Sequence, residues 1–278
     1  MKPRQQAQRI RFLVLDVDGT LLTDDYRISM ATRMAVQQVV QRGVQVILAS
    51  ARSPSGLRRI MRELGLGGIA IAYTGALTCR LSPDLSIPLT VLNEQRMNLD
   101  SASHVLRDAL AQGVSMGWFS EDCWFIPDWD LTLRRESTLS GVFPIVTPDL
   151  ALMEPPHKLQ CIVGDPELLP HLSLLARSLP GDSLGQFSHA NYLEITHQGV
   201  NKATELLALG QRLGVDPTAM VAIGDGENDR TMLQVVGLGI AMGNASPHVQ
   251  AVATWVTDTN NRDGLAKAIN RLIAMGWL

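Results

Sequence analysis

Two carboxylates stand two residues apart at Asp16 and Asp18, directly after the apolar run Phe12–Leu15, and a turn-permitting glycine follows at Gly19. At the end of a strand, both acids can face one cavity. An Asp-Gly loop that merely closes a strand has the same appearance and is common in α/β proteins. A second acidic segment, Gly224-Asp225-Gly226-Glu227-Asn228-Asp229, also follows an apolar run. Alone, it reads equally well as a helix start, where acidic side chains favour the positive end of the dipole.

The two segments take on chemistry if they meet. Carboxylates converging at 4 Å repel by ~4 kcal/mol per pair at an effective dielectric of 20. A hard divalent cation relieves that repulsion, and all-oxygen ligands that leave space for water and phosphate favour Mg²⁺ over zinc or copper. Ser50-Ala51-Arg52 offers a hydroxyl and turn N–H groups to phosphate oxygens. Lys202 opens a helix, where a lone lysine is ordinarily a solvated surface residue; only its order in the chain marks it.

The elements that position these groups alternate. Strands are expected at 12–15, 44–49 and 69–73, with helices from about Ser29 and from Pro54; in the latter Ser53 caps, Leu57, Ile60, Met61 and Leu64 form one apolar face, and Gly65 ends the turn. The pattern resumes near the C-terminus with a helix from Lys202 closed by Gly214, strands at 220–223 and 238–241, a helix after Asn228 and a last helix around Leu265, Ile269 and Leu272. Such alternation predicts a parallel sheet, with functional groups gathered beyond the carboxyl ends of its strands.

Between these halves the texture changes to proline-punctuated segments with the aromatic residues Trp118, Phe119, Trp124, Phe125 and Trp129. Its expected strands lie at 114–119, 123–127 and 159–164, and its helices at 98–111 and 167–179. The chain therefore divides into a core of 1–82 and 188–278 and an inserted α/β unit of 83–187, in keeping with a length of 278 residues.

The composition excludes several classes. Lys+Arg at 24 against Asp+Glu at 27 leaves no basic footprint for nucleic acid. No apolar run is long enough for a membrane span, and the run at 12–15 is too short for a signal-peptide core behind the basic, polar start. Three widely spaced cysteines, Cys79, Cys123 and Cys161, fit neither a disulfide framework nor a zinc site, and suggest reduced thiols in a cytoplasm. Nothing in the sequence bears on the oligomeric state.

Taken in order, Asp16-Val17-Asp18-Gly19-Thr20, Ser50, Lys202 and the 224–229 segment resemble the ordered motifs of the haloacid dehalogenase superfamily, and specifically its Cof-type phosphatases. Met232-Leu233, Met242-Gly243-Asn244-Ala245 and Asp263-Gly264 are similar to secondary features of that subfamily. The resemblance implies a Rossmann-like core with a large α/β cap inserted after the third strand. It also implies a Mg²⁺-dependent phosphatase acting on a small phosphorylated metabolite. Asp16 would be the nucleophile that forms an aspartyl-phosphate, and Asp18 the acid and then base. Mg²⁺ would be held by the Asp16 carboxylate, the Asp18 backbone carbonyl and Asp225, with Asp229 either a further ligand through water or a partner of Lys202. Ser50, Ala51, Lys202 and Asn228 would bind the phosphoryl group.

Two departures stand out. Ser50-Ala51-Arg52 replaces the Thr-Gly-Arg common in these enzymes; if the turn demands a positive φ, Ala51 is strained by about 1 kcal/mol. Thr74-Gly75 replaces the usual Asn-Gly. A phosphomutase of the same superfamily and a non-catalytic phospho-ligand sensor remain alternatives, the sensor disfavoured by retention of Asp16, Asp18, Lys202 and Asp225. Substrate choice is expected to lie in the cap, where Arg134, Arg135, His189 and the aromatic residues are available, although such aromatics are more often core.

Overall fold

The computed structural model describes residues 9–278; residues 1–8, most of the basic start, lie outside the described part. The first strand, β1 (Phe12–Leu15), is wholly buried because all four residues are apolar, as befits a strand covered on both faces. Helix α1 (Met30–Gln41) begins where the Ser29 side chain accepts the Thr32 N–H. After β2 (Gln45–Ala49), helix α2 (Pro54–Leu64) starts with Ser53 accepting the Gly56 N–H and ends at Gly65 in the left-handed region. The strands β3 (Gly68–Ala72), β4 (Leu77–Leu81) and β5 (Thr90–Glu94) follow as an antiparallel meander.

The chain then forms α3 (Leu99–Ala111), β6 (Ser115–Ser120), β7 (Cys123–Ile126), α4 (Leu131–Ser140), β8 (Ile145–Val146), β9 (Lys158–Ile162), α5 (Leu169–Arg177), β10 (Ser183–His189) and β11 (Tyr192–His197). It returns through α6 (Lys202–Leu213), β12 (Met220–Gly224), α7 (Arg230–Val235), β13 (Leu238–Ala241), α8 (Pro247–Gln250), β14 (Trp255–Val256) and α9 (Gly264–Ala274).

Two sheets result. The first has the order β14-β13-β12-β1-β2-β3-β4-β5, parallel from β14 to β3. From β1 the chain steps outward through β2 and β3 on one side, and it later returns to β12 and β13 on the other. The strand order therefore reverses beside β1, and the carboxyl ends of β1 and β12 flank the crevice where such sheets bind ligands. The second sheet has the order β10-β11-β9-β6-β7-β8. One of its faces packs under α3 and α5 through Trp118, Leu159, Cys161, Leu193 and Ile195; alternation along the strands turns Phe119, Lys158, Gln160 and Glu194 the other way.

The mixed α/β architecture with a parallel-sheet core is as the sequence predicts. By sheet membership, however, the second layer does not coincide with 83–187: β5 lies in the first sheet, and β10 and β11 carry the second sheet to His197. Strand β5 was not legible because most of it is exposed or half-exposed and lacks an apolar face. Among the described residues no helix is long and apolar enough to cross a membrane. Cys79 and Cys161 are buried free thiols, and burial pushes both up to about 12, so they are inert packing groups.

Candidate active site

Leu15 of β1 pairs with Ile223 of β12, so Asp16 emerges beside Gly224 and one residue from Asp225. Carboxylate oxygens of Asp16, Asp225 and Asp229 lie within 4.8 Å of one another. The loop after β1 is shaped for this meeting. Gly19 has φ +78°, and a Cβ there would come 2.3 Å from Asp225 Oδ2. Thr20 Oγ1 donates to Asp225 Oδ1 at 2.8 Å, and Asn244 Nδ2 donates to Asp225 Oδ2 at 3.1 Å and to the Gly19 carbonyl at 2.9 Å. Asp225 is thus oriented by donors from two other segments.

Lys202 is completely buried, which overturns the solvated alternative for a lone lysine. Its Nζ donates to Asp16 Oδ1 at 2.6 Å and to Asp229 Oδ1 at 2.7 Å. The other oxygen of Asp229 accepts the backbone N–H groups of Asp225 and Gly226 at 3.0 and 2.9 Å. Both oxygens of Asp229 are therefore engaged within the protein, which suits a residue that orients Lys202 and the 225–226 turn better than a direct metal ligand.

The electrostatics are unbalanced. Burial, reinforced by Asp229, raises the Asp16 pKa well above the ordinary carboxylate range, with Lys202 opposing. Burial pushes Asp225 to about 6 against the lowering effect of the Thr20 hydroxyl. Burial works against the charge on Lys202, but Asp16 and Asp229 outweigh it and raise its pKa. Lys202 is therefore held as a cation, and the excess negative charge of three carboxylates over one ammonium falls on Asp16 and Asp225. An all-oxygen donor set with uncompensated charge and a neighbouring cleft fits a hard divalent cation. Asp16 and Asp225 line that cleft, whereas Asp229 does not, so they are the side chains placed to hold it.

Asp18 departs from expectation in part. Its carboxylate is not in the cluster; it is paired through both oxygens with Arg52, whose Nε and Nη2 lie 2.8 and 2.5 Å away. This is the bidentate geometry that arginine favours. Ser50 is buried at the end of β2, and its Oγ accepts the Arg52 N–H at 3.2 Å. Ala51 does not have a positive φ, so the expected strain is absent there. The strain sits instead at Thr74, with φ +59°, a β-branched residue in the left-handed region that asparagine tolerates better. Gly75 beside it is required: at φ +117° a Cβ would meet the Asn201 carbonyl, at the start of α6, at 2.7 Å.

Asp16, Asp18, Ser50, Ala51, Asp225 and Asn228 line one cleft of about 980 Å³ between the two sheets. Its roof comes from the second sheet. Lys158 Nζ donates to the Ala51 carbonyl at 2.9 Å and to Glu194 Oε1 at 3.2 Å, and lies over the Phe119 ring at 4.9 Å. Arg52, Lys158, Glu194 and Asn244 were given no role from sequence. Asn244 sits in a segment already noted for its resemblance, whereas a single lysine in a strand carries no local signal. His189 lines the cleft, Arg134 stacks on Trp129 at 5.1 Å, and Trp118 and Trp124 are buried as core.

A family model described as haloacid dehalogenase-like hydrolase matches residues 13–269. A candidate phosphatase of Haemophilus influenzae is 32% identical over 261 residues, covering 90% of this chain and 94% of its own. The HMP-PP phosphatase of Cronobacter sakazakii is 31% identical over 244 residues, covering 87% of each. A haloacid dehalogenase-like hydrolase from Bacteroides thetaiotaomicron superposes with a TM-score of 0.84 at 28% identity, over 95% of this chain and 100% of that one.

Proposed function

The chain belongs to the haloacid dehalogenase-like hydrolase family and is a phosphatase of that superfamily, and on that premise we propose that it hydrolyses a small phosphate monoester through an aspartyl-phosphate on Asp16, with Mg²⁺ as its cation. The observation that carries this reading is the convergence of Asp16, Asp225 and Lys202 at the strand-order reversal. In the first half-reaction a carboxylate oxygen of Asp16 bonds to phosphorus as the ester P–O bond breaks, and Asp18 delivers a proton to the departing alkoxide. In the second, a water oxygen bonds to phosphorus, its proton passes to Asp18, and the bond to Asp16 breaks to release inorganic phosphate.

Lys202 and the Ser50 hydroxyl stabilise charge on the transferring oxygens, since phosphoryl transfer is chiefly a matter of positioning and charge. When bound by Asp16, Asp225 and the Asp18 backbone carbonyl, Mg²⁺ would supply Lewis-acid neutralisation of the same oxygens. Asp229 positions Lys202, and Asn228 at the cleft edge is an additional donor to phosphate. Asp18 must leave its Arg52 partner before it can carry a proton, so substrate entry is coupled to rearrangement of that pair. Residues between the two segments of the first sheet act as a cap that excludes water. The compound named in the Cronobacter relative, HMP-PP, belongs in the first substrate panel. The test is phosphate release from such a panel with and without EDTA: release that stops on chelation and returns with Mg²⁺ is expected, and turnover indifferent to chelation overturns the metal assignment.

A further inference from the structure

The roof of the cleft carries a polar group that the chemistry above does not use. Gln160 lies in the middle of β9, two residues beyond Lys158 and on the same face, and only 6% of it is exposed. Its side chain lines the cleft that holds Asp16 and Asp18. Among the described residues no group hydrogen-bonds to its amide, although Lys158, Glu194 and Tyr192 around the same cleft all have partners. Most of the side chain is buried, but its amide opens onto the cleft, where a ligand or water completes it.

The surroundings define what completes it. Across the sheet Gln160 is paired with Gly117 on one side and with Glu194 on the other, and Glu194 in turn with Gln186, which also lines the cleft. At Gly117 the space beside the strand is taken by the Trp124 indole and the Phe119 ring, which a Cβ there would meet at 2.6 and 3.0 Å. Among the described residues Glu194 has one oxygen on Lys158 and no hydrogen-bond partner for the other. Trp124, on the same wall, has an indole N–H that is buried and without a partner. Phe119 and Trp124 stack on each other at 5.7 Å and are almost fully buried, so they offer no open ring face on which an aromatic leaving group could lie.

The geometry points to Gln160 as the residue that selects the leaving group: its amide, seconded by the free oxygen of Glu194, hydrogen-bonds a hydroxyl or amine carried on the alcohol side of the phosphoester. This deepens, and rests on, the phosphatase reading. Lys158 ties the strand to the Ala51 carbonyl, next to Ser50, and so sets the height of the Gln160 amide above the phosphoryl position. Two residues along a strand advance about 6.8 Å, so Gln160 stands that far along the roof from Lys158.

The experiment compares wild type with Gln160→Met, close in volume but unable to hydrogen-bond, and Gln160→Glu, which retains an acceptor. Each is assayed with Mg²⁺ on glucose 6-phosphate, glycerol 3-phosphate and phenyl phosphate, the last bearing no hydroxyl or amine. Wild type is expected to favour the polar esters. Gln160→Met is expected to lower kcat/KM for the better polar ester, mainly through KM, by about tenfold more than for phenyl phosphate, with Gln160→Glu intermediate. Equal losses on all esters, or none, overturn the selection role while leaving the phosphatase reading intact. So does a wild type that prefers phenyl phosphate. Failure of wild type to release phosphate from any of them brings down the phosphatase reading itself, and this inference with it.

Discussion

Lys202 and Asp16 meet in a fully buried contact, Nζ to Oδ1 at 2.6 Å, across 186 residues of chain. The same ammonium reaches Asp229 at 2.7 Å, so one cation restrains two carboxylates that would otherwise repel. In a buried site such a pair is worth less as stability than its removal would suggest, because deleting one partner strands the other in a medium that solvates it poorly.

Lys202→Ala is therefore expected to act twice. Phosphate release should fall by roughly 10²-fold or more, the scale of losing one preorganised charge-stabilising donor. Global stability in the absence of cation should fall by about 3–5 kcal/mol, read from denaturant unfolding. A near wild-type rate would remove Lys202 from the charge-stabilising set.

Asp16→Asn keeps an acceptor for Lys202 and nearly the same volume, so circular dichroism should be unchanged while hydrolysis of p-nitrophenyl phosphate is abolished. The same variant should no longer become labelled by a phosphoryl donor. Retained turnover would exclude Asp16 as nucleophile.

The raised carboxyl groups give a pH dependence whose sign follows from linkage. Asp225 moves from the ordinary aspartate value of 3.8 to about 6, and Asp16 moves in the same direction. Between those pH values the folded protein binds more protons than the unfolded chain, so their contribution to stability is present in acid and lost as pH rises through 6. A divalent cation replaces those protons. Addition of Mg²⁺ should raise Tm more at pH 7.5 than at pH 5; an equal increment at both would dissociate cation binding from these carboxylates.

Thr74 is held at φ +59° by the Ser50 carbonyl, which accepts its N–H, and by the Asn201 carbonyl packed against Gly75. Asparagine adopts that region with less strain, so Thr74→Asn should stabilise by about 1 kcal/mol. Thermal melts should show a rise of about 2 °C. A fall would mean that packing of the Thr74 methyl outweighs its backbone strain.

The opposite signs expected of the Lys202 and Thr74 variants mark the two kinds of information in the chain. Local patterns were legible: Ser53, Pro54 and Gly65 delimit α2, the run at Phe12–Leu15 is a buried strand, and the acidic groups at 16 and 225 stand at strand ends. These follow from backbone dihedrals, capping and periodicity, all of which act within a few residues. Strands β5 and β10 were not legible, because largely exposed strands take their stability from partners rather than from an apolar face. The displacement of the strained residue from Ala51 to Thr74 likewise depended on a turn whose shape is set by its neighbours in space.

By itself, then, the sequence determined which residues bear charge at which strand ends, and in what order. Only the tertiary structure decided that Thr20 and Asp225, 205 residues apart, share a hydrogen bond, that Asp18 turns to Arg52 rather than to the acidic cluster, and that Gln160 faces the cleft. The physical reason is that strand order and register are fixed by burial and hydrogen bonding between distant segments, for which no stretch of neighbouring residues carries a signal.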